Sequence, residues 1–462
     1  MQNTKRSGVR RIGTFTAIAA VALALVTGCS SAGAGGSSPA TPGGSAATTL
    51  DAQYRAYPSI LTTANTGKSV TFWGWDTLAF NKPIEDYVKS AAGVSVTGSV
   101  IPNADILNKI KLATLAKTLP DVFKSGTGDI PALVQMGAVQ DITDLVEPYR
   151  KELPDIGWNQ VTYNGKIYGI PANSPAGGMF YRQDVLTKYG IDPASLTTWD
   201  KYIAAAQKLS ADSGGKVNLF GYQQALAIGV QMAAINLNHA QLLDKDMNVA
   251  VSPSSPEWQA TMALIKKLSA PGVGKDVPEW SPQWYQAMKD GSLASFPEGT
   301  WFLSTIQQQA PDTKGDWNFQ PFPAVVEGGD RYVDFGSTMV AISSQTKNRG
   351  AGFELAKAWS IDPEGSIGIG LEKLGISVVC TAALTSDYVN KPQEWFANNQ
   401  PYWKDATEAY SKITFSPAPT PANAQALTIF GTDLAQFQAG QSADAFLTKL
   451  AADLKEQIKG VK

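Results

Sequence analysis

Apolar and polar positions along this chain change period several times, from two to about 3.6 and back. Ser69-Val-Thr-Phe-Trp-Gly-Trp75 alternates as a first strand does, and Asp76-Thr-Leu-Ala-Phe-Asn-Lys-Pro83 opens a loop into a helix near 84–90. A helix over 104–116 and a short strand over 119–123 come next, then the loop Ser125-Gly-Thr-Gly128. Strand, helix, strand, helix in this order predicts a mixed α/β sheet. Tyr163-Asn-Gly-Lys-Ile-Tyr-Gly-Ile-Pro171 predicts a hairpin turning at Asn164-Gly165, a pair suited to a type I′ turn. Gly177-Gly-Met-Phe-Tyr181 reads as a strand leading to a helix over 183–189, and Thr197-Thr-Trp-Asp200 has capping-box spacing ahead of a helix to about 209. Ser255-Pro-Glu-Trp258 starts another helix, whose Trp258, Met262, Ile265 and Leu268 share a core face. A strand over 317–321, an apolar run over 335–342, a helix over 353–360 and two C-terminal helices broken at Gly440 complete the pattern.

One stretch, Gly291-Ser-Leu-Ala-Ser-Phe-Pro-Glu-Gly-Thr-Trp-Phe-Leu-Ser-Thr-Ile306, combines the features of a ligand corner. Leu293 to Phe296 reads as a buried strand, Pro297-Glu298-Gly299 as a turn, and Thr300 as the cap of a helix starting at Trp301. Gly299 lets a ligand approach the backbone, the helix start offers free N–H donors, and Trp301 lies beside them with a broad flat face. A sugar ring needs both, hydrogen bonds for its hydroxyls and an aromatic for its C–H face. The same residues also fit an ordinary strand-to-helix corner with Trp301 in the core. Just upstream, Trp284 and Met288 share a helical face expected in the core, whereas Trp280 precedes that helix and is freer to reach a cleft.

With 462 residues, 44% of them apolar, the chain exceeds the size at which one core keeps growing, and two domains are expected. Residues 1–28 have the layout of an export signal, a basic start, an apolar stretch and small residues before Cys29. Val26-Thr-Gly-Cys29 is similar to a bacterial lipobox, which would make Cys29 the lipidated first residue of the mature chain. Two acyl chains at about 0.8 kcal/mol per buried CH₂ anchor stably. Residues 30–49, nearly all Ser, Ala, Gly, Thr and Pro, then read as a flexible tether. Losing Lys5, Arg6, Arg10 and Arg11 leaves 34 basic against 40 acidic residues, a balance that argues against a nucleic-acid partner. Cys380 is then left without a disulfide partner, in an apolar run that points to the core.

His239 is the sole histidine, which argues against a histidine-based triad or a multi-histidine zinc site. No P-loop is present, Gly368-Ile-Gly370 is too short for a dinucleotide fingerprint, and nothing local marks two carboxylates as a glycosidase pair.

Taken in order, the lipobox, Pro120-Asp-Val122, the hairpin 163–171, Met179-Phe-Tyr-Arg-Gln-Asp184, Thr198-Trp-Asp200, Phe296-Pro-Glu-Gly-Thr-Trp301 and Phe335-Gly-Ser-Thr-Met-Val-Ala-Ile-Ser343 resemble an extracellular solute-binding protein of the sugar class, the lipid-anchored receptor of an ABC importer. The resemblance runs from about Thr66 to the C-terminus. It implies a two-lobed periplasmic-binding-protein-like α/β fold of type II, with ligand in the interlobe cleft and closure on binding. Crossings are expected at 170–174, 335–338 and near Cys380, giving one lobe of 66–171 plus 337–378 and another of 172–336 plus 379–462, with 29–65 as lipidated cysteine and tether. By the same resemblance Trp75, Asp76 and Thr77 follow the first strand into the cleft, Ser125 and Thr127 face it from the next loop, and Trp301 stacks on sugar beside Gly299. Asp76 is the carboxylate expected to accept paired hydroxyls. Trp280, and Phe335 with Gly336 at a hinge, are further ligand-binding candidates, with Tyr222-Gln-Gln224 and Glu298 as weaker ones. Ser174-Pro-Ala-Gly-Gly178 stands where maltose-type receptors carry a carboxylate, which argues against simply naming maltose.

The expected function is capture of a carbohydrate, an oligosaccharide above all, and its delivery to the permease subunits of an ABC importer from the outer face of the cell membrane. No catalysis, cofactor or metal is expected, and the protein is expected to act as a monomer. The alternatives are a lipid-anchored surface glycosidase and a receptor for a non-sugar solute.

Overall fold

The computed structural model describes residues 58–222, 228–417 and 419–461. The export signal, Cys29, the tether, Gln223 and Gln224 lie outside the described residues. Two sheets organise the rest. The first has five strands in the order β2-β1-β3-β9-β4, formed by β1 (Ser69–Gly74), β2 (Ser95–Val100), β3 (Val122–Gly126), β4 (Ile170–Pro171) and β9 (Thr338–Ile342). β2 and β3 run parallel to β1, and β9 runs antiparallel to β3 and β4. The second sheet is antiparallel around β5 (Ala176–Arg182), which pairs with β6 (Ser295–Gly299), β7 (Trp317–Gln320) and β8 (Val333–Asp334).

The predicted alternation of β1 is carried out physically: Val70 and Phe72 are buried, while Thr71 faces out. The helix after it spans Leu78–Ala92, longer than expected. Thr77 starts it, its hydroxyl accepting from Phe80 N at 3.2 Å. The hairpin forms as predicted, with Thr162–Tyr163 paired to Lys166–Ile167 and positive φ at Asn164 and Gly165. Trp258, Met262, Ile265 and Leu268 are fully buried on the helix Pro256–Leu268.

The corner at Trp301 departs from expectation in register. Pro297, Glu298 and Gly299 belong to β6 instead of a turn, opposite Met179, Gly178 and Gly177. Proline is accommodated because β6 is an edge strand. Thr300 does not cap the next helix. Its N–H goes to Ala176 O at 2.8 Å, which prolongs the strand pairing, and its buried hydroxyl has no hydrogen-bond partner among the described residues. The helix therefore begins one residue later, over Phe302–Gln309, with Trp301 at the N-cap.

The chain passes twice directly from one sheet to the other, at 172–175 between β4 and β5 and at 335–337 between β8 and β9. These passages bind each other: Phe335 N donates to Pro175 O at 2.7 Å, Ala172 N to Thr338 O at 2.7 Å, and Thr338 N to Asn173 Oδ1 at 2.8 Å. Gly336 takes the positive φ this tight passage needs. A third passage lies at 376–380, where Ile376 and Val379 join the core of the first sheet while Val378 and Cys380 join a core beneath the second. Burial pushes the Cys380 thiol up to about 11. Ala409 and Tyr410, far along the chain, also pack into the first core.

His239 stacks on Phe415 at 4.7 Å between ring centroids. Among the described residues, no group of acidic, histidine and cysteine side chains could hold a metal ion, and no helix is long and apolar enough to cross a membrane.

Candidate functional site

Trp301 leaves the end of β6 half-buried and packs against both the first-sheet core and the core beneath the second sheet. Trp280 stacks on it, centroids 5.8 Å apart and planes at 27°, and Phe335 meets it edge-on at 6.5 Å. Trp280 remains 40% exposed and holds a positive φ of 61°, an uncommon conformation for a bulky residue. Behind the pair, Trp284, Phe296 and Phe302 form the buried base. Gly299 is required by this arrangement. A Cβ there would lie 2.2 Å from Trp301 Nε1, so the indole occupies the space of the missing side chain.

A second group gathers at the ends of β1 and β3. Trp75 and Asp76 are partly exposed just past β1, with Thr77 outside them. Asp76 is not a free carboxylate: Lys124 Nζ lies 2.5 Å from its Oδ2, both side chains largely shielded. Oδ1 has no protein partner among the described residues. Lys124 also sits 3.6 Å from the Trp359 ring centre and 5.9 Å from that of Trp75. Sequence reading missed this buried lysine by ending the strand at Phe123. A cation in an otherwise apolar run was the signal available.

Ser125 does not present its hydroxyl to a cleft. It is fully buried and donates to Asp129 Oδ2 at 2.8 Å, and the same oxygen accepts from Gly126 N at 3.2 Å. Burial raises the Asp129 carboxyl above its ordinary range. Ser125 thus shapes the loop, because β3 continues through it to Gly126. Thr127 ties this loop to the second passage, its N–H donating to Ser337 O at 2.9 Å and its hydroxyl lying 3.2 Å from Ser337 Oγ. The loop after β3 is therefore joined, through Ser337, to the segment that carries Phe335 and exposed Gly336.

Glu298 is buried in β6, and its carboxyl is pushed well above the usual range by burial and by the charge of Glu279. Tyr222 is partly buried against Phe220, at 6.1 Å between ring centroids. The aromatic group thus stands at the end of β6 in the second sheet, and the polar group at the ends of β1 and β3 in the first.

Residues 82–397 match the family model described as bacterial extracellular solute-binding protein. The arabinooligosaccharide-binding protein of Bacillus subtilis (strain 168) is 30% identical over 231 residues, 49% of this chain and 51% of that protein. The arabinooligosaccharide-binding protein of Halalkalibacterium halodurans is 24% identical over 57% of this chain and 59% of its own length. The chain thus spans little more than half the length of these relatives. The lactose-binding protein of Rhizobium radiobacter is 24% identical over 77% of this chain and 85% of that protein. Among solved structures, the ABC transporter associated binding protein from B. animalis subsp. lactis Bl-04, in complex with beta-1,6-galactobiose, superposes with a TM-score of 0.73 at 21% identity, covering 84% of this chain and 96% of that one. The GacH receptor of Streptomyces glaucescens superposes with a TM-score of 0.70 at 18% identity, covering 86% and 99%. The fold is accordingly the two-lobed type II solute-binding architecture.

Proposed function

The chain belongs to the family of bacterial extracellular solute-binding proteins, and from that premise we propose that it captures a carbohydrate, an oligosaccharide, between its lobes and delivers it to the permease of an ABC-type importer. The lobes in this reading are 66–171 with 337–378 and 172–336 with 379–462, and a lipid on Cys29 holds the protein at the outer face of the membrane. The observation that carries the reading is Trp301, a half-buried indole that packs against the cores of both sheets and is flanked by Trp280 and Phe335. Relatives that bind arabinooligosaccharide and lactose support the ligand class.

Physical chemistry says what each part contributes. Each sugar hydroxyl left unpaired in a closed cleft costs about 1–3 kcal/mol, so polar partners decide which sugar fits. In this reading these are Asp76 Oδ1, Thr77 and Thr127, with Trp75 beside them and the backbone at Gly336 near the passage. Aromatic faces add on the order of 1 kcal/mol each, by analogy with aromatic pairs, with less discrimination. A few such terms reach a micromolar constant, about 8 kcal/mol. Ser125, whose hydroxyl is committed to Asp129, has no part in it.

Calorimetry on Trp301→Ala with a sugar found by a thermal-shift screen tests the reading. The expected result is at least about a tenfold weaker affinity, about 1.4 kcal/mol. Unchanged affinity removes Trp301 from the site. Incubation of the pure protein with oligosaccharides separates this reading from a surface hydrolase, since only an enzyme releases shorter products.

A further inference from the structure

A lysine occupies the middle strand of the first sheet. β3 has β1 on one side and β9 on the other, where Lys124 stands opposite Val340, and the residue is only 5% exposed. Its stem passes Gly74, where an added Cβ would lie 3.5 Å from Lys124 Cδ, and its ammonium rests 3.6 Å from the ring centre of buried Trp359. The head then reaches Asp76 Oδ2 at 2.5 Å, its one hydrogen-bond acceptor among the described residues.

Stability alone does not call for this pair. Burying a charge is costly, and a buried ion pair is often no more stabilising than apolar residues of similar volume. An apolar side chain of the same length would fill the space between Gly74 and Trp359 without that cost. What the pair does supply is a directed carboxylate. The Asp76 side chain is 21% exposed against 6% for Lys124, so the acid is the outer member and the cation the inner one. Lys124 holds Oδ2, and Oδ1 is left without a protein partner. A group arriving there meets an acceptor that takes hydrogen bonds and carries negative charge, in front of a cation already engaged. We propose that the Lys124–Asp76 pair is the charge selector of the site: the buried lysine fixes the Asp76 carboxylate with one oxygen outward, so that uncharged sugars, whose hydroxyls donate to it, are accepted and acidic sugars are turned away. The inference rests on the carbohydrate reading above and adds to it the electrical character of the ligand. Lys124 is a positioning residue in this scheme, because it acts on the sugar only through Asp76.

The ratio of affinities for neutral and acidic sugars is the test, since a general loss of packing moves both alike and leaves the ratio where it was. Calorimetry on the full chain supplies it, with lactose, galactobiose and cellobiose set against lactobionate, digalacturonate and cellobiuronate. The wild type is expected to bind the neutral sugars at least about tenfold more tightly than the acids. Asp76→Asn keeps an acceptor for Lys124 and removes the negative charge, so this preference shrinks at least about tenfold. Lys124→Met releases the carboxylate from its fixed position, and affinity for the neutral sugars falls while the acids stay excluded. Trp301→Ala weakens both classes and leaves the ratio unchanged. A preference untouched by Asp76→Asn, or wild-type affinity for neutral sugars in Lys124→Met, overturns the proposal; if Trp301→Ala still weakens binding, the carbohydrate reading stands without it. Acids bound by the wild type as tightly as neutral sugars overturn the proposal as well, and a wild type that binds none of these sugars removes the reading and the proposal together.

Discussion

Gly299→Ala puts a methyl group where the Trp301 indole now lies. The new Cβ would stand 2.2 Å from Nε1, 2.7 Å from Cε2 and 2.8 Å from Cδ1, all shorter than real Cβ contacts tolerate, so the ring must move. The obstruction is a half-buried side chain, and Gly299 itself is not among the positive-φ glycines, so the strand backbone accepts alanine. What is lost is the position of the indole. Its stacking on Trp280 and edge contact with Phe335 go with it, at about 0.5–1.5 kcal/mol for each aromatic pair. If Trp301 carries the ligand, affinity measured by calorimetry falls at least about tenfold, about 1.4 kcal/mol. The double variant with Trp301→Ala then binds no more weakly than Trp301→Ala alone, because the methyl has nothing left to displace. Wild-type affinity in Gly299→Ala, or losses that simply add in the double variant, would refute the chain of reasoning from Gly299 through Trp301 to ligand.

Three further substitutions probe the scaffold. Gly229→Ala drives a Cβ to 1.8 Å from Pro297 O, a backbone atom of β6 that cannot swing aside; destabilisation of at least about 1–3 kcal/mol is expected in denaturant unfolding. Buried Asp362 accepts from Ser59 Oγ, Ile60 N, Tyr87 OH and Gly365 N, so Asp362→Ala strands several donors; a loss of at least about 2 kcal/mol is expected, with faster amide exchange at Ile60. Because burial raises the Glu298 carboxyl in the folded state, the native protein binds a proton that the unfolded chain has released once pH exceeds its ordinary range near 4.5, and this group's contribution to stability falls as pH rises. Glu298→Gln should therefore gain midpoint relative to wild type as pH is raised from 5 to 8. A constant difference between the two across that range contradicts the assignment.

Much of the fold was legible because period and punctuation agreed. Val70 and Phe72 alternate inward in β1, Asn164-Gly165 turns the hairpin, and the four apolar residues of the Trp258 helix are all buried. Crossings were expected at 170–174, at 335–338 and near Cys380 from family resemblance and not from any local pattern; the chain passes between the sheets at 172–175 and 335–337. What failed was decided by partners distant in sequence. Pro297 and Gly299 look like a turn until β5 is set beside them, and Thr300 looks like a cap until Ala176 O takes its N–H. Asp76 looks like a free acceptor until Lys124 arrives from 48 residues away. The pairing of Trp280 with Trp301 was likewise invisible, since neighbouring aromatics in a sequence do not reveal which faces meet.

The distribution of chemistry between the two sheets bears on why such a site would close. The apolar platform of Trp280, Trp301 and Phe335 stands at the second sheet, whereas Asp76, Thr77 and Thr127 stand at the ends of strands in the first. On the proposed reading, neither set binds a sugar well alone: the platform leaves hydroxyls unpaired, and the polar ends leave the C–H face in water. Binding energy is complete only when both act together, so a ligand would stabilise the arrangement in which the sheets' ends face it across the passages. That differential affinity is what a population shift toward a closed form requires. Phe335 is the residue where the two demands meet, since it contacts Trp301 and, two residues on, Ser337 holds the loop of Thr127.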